Sequence, residues 1–149
     1  MTITVEEYTF HMIDMFITSQ GVLMNILLLL LIYFCTPKTI GAYSVLIINA
    51  ALVDLVIALC GLLTSIRFIP CDFTILIVSY GVCGRLGREF CFLLFKIQIH
   101  AIIHGMMSQL LSFAYRYYAL IGVRIPSKRR IALICFGVYI PTLIVLKMD

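Results

Sequence analysis

The chain has little charge of either sign and very little inside its apolar stretches. Only 12% of its 149 residues are charged and seven are acidic, whereas 63% are hydrophobic and the mean hydropathy is +1.13. A soluble domain of this length could not bury so much apolar surface, so the composition excludes an ordinary soluble protein and indicates one embedded in a bilayer. The charges inside apolar stretches are Asp54, Lys96 and Arg116.

The sequence also lacks tandem repeats, low-complexity tracts and flexible linkers, which indicates a single membrane domain over residues 1–149. It contains no nucleophile elbow, phosphate-binding loop or paired carboxylates, so we expect no enzymatic activity. His100 and His104 would place two imidazoles on one helix face, but no third ligand stands at a zinc-binding spacing. We therefore expect no metal, no cofactor and no nucleic-acid partner.

Four apolar stretches predict an all-α membrane protein with four transmembrane helices, at residues 15–35, 42–66, 90–120 and 131–146. The third is long and interrupted by polar residues, which suits a tilted helix at the centre of a bundle. The fourth is the shortest. Residues 73–84 are apolar but too few to cross as a helix, so we interpret them as an external loop or an interfacial hairpin.

Six basic residues lie on one predicted side of these spans, and the N-terminal segment on the other side is acidic. The six are Lys38, Arg116, Arg124, Lys128, Arg129 and Arg130, and the acidic residues of the start are Glu6, Glu7 and Asp14. The positive-inside rule then predicts an extracellular N-terminus. Because a cleaved signal peptide would begin with basic residues, we expect the first span to act as an uncleaved anchor.

The cysteines divide into two groups of three on this topology. Cys71, Cys83 and Cys91 face the oxidising side, and Cys35, Cys60 and Cys135 lie in or near the membrane. An odd external set leaves one partner missing. We favour a disulfide for Cys91 and expect its partner in a loop after the fourth span, whereas the three inner cysteines could equally be small apolar residues.

The third stretch carries most of the polar chemistry. One row at four-residue spacing contains Lys96, His100, His104, Ser108, Ser112 and Arg116, and a heptad-like seam contains Gln98, Ile102, Gly105, Gln109, Ser112 and Arg116. Polar groups in hydrocarbon must find partners, so this helix belongs inside a bundle, where Gly105 and Ser112 allow close approach. Each polar side chain could bond a neighbouring helix alone or also contact a ligand, and Lys96 could instead reach the outer interface.

Asp54 lies within the second predicted span, where a carboxylate is energetically unfavourable and packing alone does not explain it. A carboxylate at the middle of a span costs about 2.5 to 3.5 kcal/mol on insertion scales. We expect it to be protonated, hydrated or paired with polar groups facing inward. A functional role and a simple hydrogen bond to a neighbouring helix both remain open.

Several motifs resemble the first three helices of a seven-helix G-protein-coupled receptor. They are Asn25 within residues 21–25, Asp54 within residues 49–55, and Cys91 followed 25 residues later by Arg116 between two tyrosines. At about 1.5 Å per residue, that separation spans roughly 37 Å, enough to put a thiol at one face of the bilayer and a cation at the other. The chain resembles one family more closely, the nematode serpentine chemoreceptors of the delta class. The motifs that carry this resemblance are Thr-Pro-Lys at 36–38 with Tyr43, Gly-Val-Cys-Gly at 81–84, and Leu-Ser-Phe-Ala-Tyr-Arg-Tyr-Tyr at 111–118.

This resemblance covers nearly the whole chain and implies a chemosensory receptor for a small molecule, working through a heterotrimeric G protein in the plasma membrane of sensory neurons. The implied site residues are Gln98, Ile102 and Lys96 for ligand contact, Asn25 and Asp54 for a polar network, Arg116 and Tyr117 for G-protein coupling, and Cys91 for a disulfide.

Three features depart from the general receptor pattern. Tyr115 stands where many receptors have an acid before the arginine, which weighs against an ionic lock, and the fourth span has no tryptophan. Spans five to seven are absent from the sequence, so we expect it to represent the N-terminal part of a receptor.

A four-span transporter or channel subunit is the alternative, with Asp54, Lys96 and the histidines acting as a relay. A relay needs ionisable groups at similar depth, whereas Asp54 is predicted near the middle of its span and Lys96 near the outer end. The order of the motifs therefore favours the receptor.

Overall fold

A computed structural model describes residues 5–35, 43–71, 74–122 and 127–147, with side chains for all of these except residues 5–7, 71, 75 and 141–147. Along the chain the elements are α1 (Val5–Cys35), α2 (Tyr43–Thr64), β1 (Ile66–Cys71), β2 (Thr74–Ser79), α3 (Cys83–Leu86), α4 (Arg88–Leu120) and α5 (Lys128–Lys147).

The described residues include three helices long and apolar enough to cross a bilayer, over Tyr8–Cys35, Tyr43–Thr64 and Arg88–Leu120. They confirm the class of all-α membrane protein and correspond to the first three predicted spans. Helix α1 begins ten residues before the predicted residue 15, and its N-terminal turns contain neither proline nor glycine, the two residues that most disfavour a helix. Helix α5 has 20 residues and starts with three basic ones. It is not among the three, so the fourth span stays a prediction.

Small residues set the packing of α1 on α2. A Cβ added to Gly21 would lie 3.6 Å from Cβ of Ala58, and one added to Gly61 would lie 3.5 Å from the methyl group of Thr18. As residue numbers rise on α1 they fall on α2, so the two helices are antiparallel. Glycine at these positions lets the helix backbones approach closely, as apolar membrane helices require.

Helix α4 also packs against α2, because a Cβ added to Gly61 would lie 3.5 Å from Nε2 of Gln98. Two buried clusters stabilise the bundle near its two ends. One contains Cys60, Cys83 and Leu94, and the other contains Leu46, Ile131 and Cys135. Between them a Cβ at Gly105 would lie 3.5 Å from the side chain of Val53. The free thiols of Cys60 and Cys135 are buried and that of Cys35 is exposed.

An antiparallel hairpin follows α2, with Ile66 opposite Ser79 and Cys71 opposite Thr74. Residues 73–84, predicted as a loop or a hairpin, contain its second strand and not the whole hairpin. The first strand begins at Ile66, so the predicted end of the second span at residue 66 is wrong. The physical reason is Pro70, which could not continue a helix but is tolerated in a short two-stranded ladder. Phe73, where the predicted segment began, lies outside the described residues.

The exit of the hairpin approaches the end of α2 so closely that only glycine fits. The backbone N–H of Gly81 donates to the carbonyl oxygen of Thr64 at 3.1 Å. A Cβ at Gly81 would collide with the carbonyl oxygen of Leu63 and lie 2.6 Å from the carbonyl carbon of Thr64. The hairpin is thereby held against α2 by backbone contacts.

The expected partner of Cys91 was wrong. Cys91 forms a disulfide with Cys83, eight residues earlier, with Cα atoms 5.2 Å apart. Between them Gly87 has a φ of 116°, a conformation that favours glycine and that redirects the chain from α3 into α4. Spacing alone could not reveal this reversal, so the sequence pointed to a partner after the fourth span. The side chain of Cys71 lies outside the described part of the chain.

Candidate functional site

The bundle has two chemically different ends. We call the end formed by β1, β2 and α3 the hairpin end, and the opposite end, where Tyr43 and Arg116 meet, the arginine end. Helices α2 and α4 both connect the two ends: α2 runs from Tyr43 to Thr64, and α4 runs from Arg88 at the hairpin end to Arg116 in its last turns.

At the arginine end a tyrosine of α2 holds Arg116. The guanidinium Nε donates to the hydroxyl oxygen of Tyr43 at 2.7 Å, and Nη2 donates to the same oxygen. The guanidinium carbon lies 5.2 Å from the centroid of the Tyr43 ring, which is within the range of a cation–π contact. Arg116 is thus held by a neutral partner on another helix.

Neighbouring groups fix the position of Tyr43. Its hydroxyl lies 3.4 Å from the Ser112 hydroxyl, and its ring stacks on that of Tyr115 with centroids 5.5 Å apart. Tyr115 therefore supports the arginine contact indirectly. Tyr117, the other predicted coupling residue, is exposed beside Tyr118.

In the middle of α4, the polar row bonds neighbouring helices. The amide nitrogen of Asn49 donates to the hydroxyl of Ser108 at 2.8 Å, and that hydroxyl lies 3.3 Å from Nε2 of His104. His104 is fully buried, with its ring stacked on Tyr139 of α5 at 3.6 Å. Its Nδ1 has no hydrogen-bond partner among the described atoms. These contacts join α2, α4 and α5 through polar groups, as expected for a helix inside a bundle.

The three predicted ligand contacts occupy different surroundings. Gln98 is half-buried, and its Oε1 lies 3.4 Å from the Thr64 hydroxyl of α2. The Lys96 ammonium lies 4.8 Å from the ring centroid of Phe92 on its own helix. Ile102 is exposed. Of these three residues, only Gln98 makes a polar contact with another helix within the described part of the chain.

A cavity of about 740 Å³ opens at the hairpin end, within the range of small-molecule sites. It is lined by Thr64, Ile66, Ile77, Ser79, Gly84, Arg88, Glu89, Cys91, Phe92 and Phe95. Thr64 lines this cavity but is almost fully buried. Its hydroxyl donates to the carbonyl oxygen of Cys60 at 2.7 Å and lies 3.4 Å from Oε1 of Gln98. Sequence reasoning missed the α4 part of this lining, although Arg88, Phe92 and Phe95 recur at the three- and four-residue spacing of one helix face.

A second polar cluster, also missed from sequence, joins α1 to the hairpin end. Nδ1 of His11 lies 2.9 Å from the hydroxyl of Ser65, which donates to a carboxylate oxygen of Asp14 at 3.1 Å. The His11 ring lies 6.3 Å from that of Tyr80. The one signal in sequence was the three-residue spacing of His11 and Asp14, which places both on one face of α1.

Asn25 and Asp54 lie at similar depth but are not bonded to each other. Each is four residues from the contact between Gly21 and Ala58, in antiparallel helices. The amide of Asn25 donates to the carbonyl of Gly21 at 2.9 Å. Asp54 is exposed and has no polar partner among the described residues. The structure therefore brings these residues to one level without a direct bond between them, and the polar network stays a prediction.

Metal ligation has no support in the described residues, where no group of three or more His, Cys, Asp or Glu side chains comes together. The predicted residues Lys38 and Arg124 lie outside the described residues, as do Thr36 and Pro37 of the first loop.

Antiparallel apolar helices with polar contacts between them, a disulfide at one end and a held arginine at the other define a helical membrane protein with receptor-like features. The profile of the serpentine type 7TM GPCR chemoreceptor Srd family matches residues 10–148. The chain belongs to this family, which is a family of receptors and not of enzymes.

Curated relatives agree with the profile. Serpentine receptor class delta-3 of Caenorhabditis elegans is 33% identical over 138 residues, covering 93% of this chain and 40% of that protein. Serpentine receptor class delta-18 of the same organism is 36% identical over 128 residues, covering 83% and 37%. The chain thus spans about 40% of the length of the first of these relatives. No solved structure matches it, and the comparisons support no transporter or channel relationship.

Proposed function

We propose that this chain forms the ligand-sensing and coupling segment of a chemosensory G-protein-coupled receptor of the plasma membrane, responding to a small-molecule cue. The observation that carries the proposal is the course of α4, which runs from the cavity at the hairpin end to Arg116 at the arginine end. Polar contacts with α2 occur at both ends and in the middle. A displacement of α4 at the cavity could therefore be transmitted through the packed helices to Arg116.

The proposed orientation places the hairpin end outside the cell. A stable disulfide between Cys83 and Cys91 is typical of an oxidising compartment. The opposite end carries Arg116 and the basic start of α5, as the positive-inside rule favours for the cytosol. Because His11 contacts Ser65, the N-terminal part of α1 lies on the disulfide side.

The ligand is proposed to enter the cavity, and Gln98 is proposed to sense its binding. Thr64 lines the cavity and its hydroxyl lies 3.4 Å from Oε1 of Gln98, so a ligand that shifts the end of α2 at Thr64 would change the surroundings of this amide. Ile102 follows Gln98 by four positions and so shares its helix face, whereas Lys96 precedes Gln98 by two positions and lies on another face. Both are proposed as further contacts. Aromatic lining at Phe92 and Phe95 favours a cue with an apolar body.

Coupling is proposed to follow the release of Arg116 from Tyr43. In the structure the guanidinium donates to the tyrosine hydroxyl and lies over its ring. Once released, Arg116 would contact the heterotrimeric G protein together with the exposed Tyr117. Breaking one hydrogen bond and one cation–π contact costs less free energy than breaking a buried ion pair. A modest free energy of ligand binding would therefore be enough to release Arg116.

Asp54 is proposed to bond a helix of the complete receptor, with Asn25 nearby. An ionised carboxylate facing lipid is unfavourable, and Asp54 is exposed in the described residues. Replacing Asp54 with Asn keeps the volume and removes the charge. A changed response at normal surface expression would support the network, and an unchanged response with unchanged ion sensitivity would reject it.

The test of the whole proposal uses a receptor in which this chain is continued by the remaining part of serpentine receptor class delta-3. We expect cue-dependent G-protein activation in cells expressing it, and its loss on Arg116→Gln at equal surface expression. Arg129→Gln, an exposed basic position at the start of α5, is the matched control. Equal activation by the Arg116 variant and the parent receptor would overturn the proposed coupling role.

A further inference from the structure

An apolar groove at the arginine end has dimensions that fit part of a lipid chain. It measures about 140 Å³ and is lined by Leu46, Leu111, Ala114, Tyr115, Tyr118, Ile131 and Ile134 from α2, α4 and α5. That is the space of about five water molecules at roughly 30 Å³ each, well below the ~300 Å³ of a small-molecule site. A narrow apolar segment, such as part of an acyl chain, fits where a compact ligand does not.

The first turn of α5 places positive charge directly beyond this groove. Lys128, Arg129 and Arg130 are all exposed. Lys128 precedes the lining residue Ile131 by three positions and Arg130 precedes Ile134 by four, so each basic side chain shares a helix face with a residue of the groove. The backbone positions of these basic residues therefore lie about one turn, ~5 Å along the helix axis, from the apolar lining.

No acid compensates this charge. The sequence contains no acidic residue between Glu89 and Asp149, and the part of α2 that lines the groove precedes its first acid, Asp54. Three uncompensated cations next to an apolar groove at a membrane boundary complement one kind of occupant, which carries a negative head and an apolar tail.

We propose that the groove and the first turn of α5 form a binding site for an anionic phospholipid. One acyl chain packs along the groove, and the phosphate lies between Lys128 and Arg130. Because Tyr115 lines the groove and stacks on Tyr43, the bound lipid also contacts the ring pair that holds Arg116.

The test is native mass spectrometry of the chain released from bilayers that contain equal amounts of phosphatidylserine and phosphatidylcholine. We expect preferential retention of phosphatidylserine. Lys128→Gln with Arg130→Gln should lower the preference by roughly 30-fold if each basic residue contributes its usual attraction to anionic lipid. The matched control is Arg85→Gln with Arg88→Gln, which removes two exposed charges at the hairpin end and should leave the preference unchanged.

Two further variants separate the groove from the charges. Ala114→Phe fills the groove and should reduce retention of both lipids while keeping the basic turn, and Lys128→Arg with Arg130→Lys should retain the preference and report correct folding. The proposal is overturned if the glutamine pair binds phosphatidylserine like the parent chain, if the hairpin-end control loses as much, or if soluble glycerol phosphate displaces the lipid, since a free anion would then be sufficient.

Discussion

The hairpin end and the arginine end are stabilised by different kinds of interaction. At the hairpin end a disulfide, a strand ladder and the backbone contact of Gly81 with α2 hold the elements together. At the arginine end Arg116 is exposed and is held by the hydroxyl and ring of Tyr43. Breaking covalent and backbone contacts costs much free energy, whereas a side-chain contact at the surface can be broken and replaced at a small cost in free energy. The hairpin end therefore keeps its shape, whereas the arginine end can change partners.

The largest effect should come from Gly81→Ala, which disturbs the packing of the hairpin end. The added Cβ would collide with the carbonyl of Leu63, so either the hairpin or α2 must shift. We expect a loss of about 3 kcal/mol in stability, at the upper end for overpacked sites. Denaturation of the chain in detergent micelles, followed by circular dichroism, measures it.

Gly84→Ala is the matched control, because a Cβ there meets nothing within 4 Å. Equal stability of the two variants would show that the close approach at Gly81 is not a constraint.

Removing the disulfide should have a slightly smaller effect. Cys91→Ser opens a link between positions eight residues apart, and loop entropy predicts a loss of about 2.5 kcal/mol. The thermal midpoint should fall to that of the parent chain treated with reductant. Cys35→Ser, which removes an exposed free thiol, should leave the midpoint unchanged in both conditions. A midpoint of the parent chain that is insensitive to reductant would contradict the assignment.

At the arginine end, Tyr43→Phe should alter activity more than stability. The ring and its stacking on Tyr115 remain, but Arg116 loses its hydrogen-bond acceptor. We expect about 1 kcal/mol less stabilisation of the held state, and so roughly a fivefold shift toward the released state. Basal G-protein activation by the complete receptor, without cue, should rise accordingly.

Tyr33→Phe controls for loss of a tyrosine hydroxyl at an exposed position on α1. Should basal activation respond equally in both variants, the contact with Arg116 would have no special role.

The smallest expected effect is at the other end of α4. Gln98→Ala removes the amide that contacts Thr64 and should raise the cue concentration for half-maximal activation by about two- to fivefold, since one weak polar contact is lost. Basal activation should stay at the parent level. Gln109→Ala, exposed on the same helix, is the control. A rise in basal activation by the Gln98 variant would erase the proposed distinction between a sensing end and a coupling end.

Sequence alone determined the membrane class, the three long helices and the row of polar residues on α4. These depend on hydropathy over about 20 residues and on the 3.6-residue period, which are local properties of the chain. The hairpin was also predictable as a segment too short to cross the bilayer. Its start at Ile66 was not, because the effect of Pro70 on the preceding residues competes with their hydropathy.

Which of these residues contact one another depends on how the helices pack. Tyr43 and Arg116 are 73 positions apart, and His11 and Ser65 are 54 apart, so no local pattern could pair them. Cys83 and Cys91 are close in sequence, yet their pairing depends on the turn at Gly87, whose φ of 116° no spacing specifies. Partner choice results from the packing of antiparallel helices on α2, and that packing is a property of the whole bundle and not of any one segment.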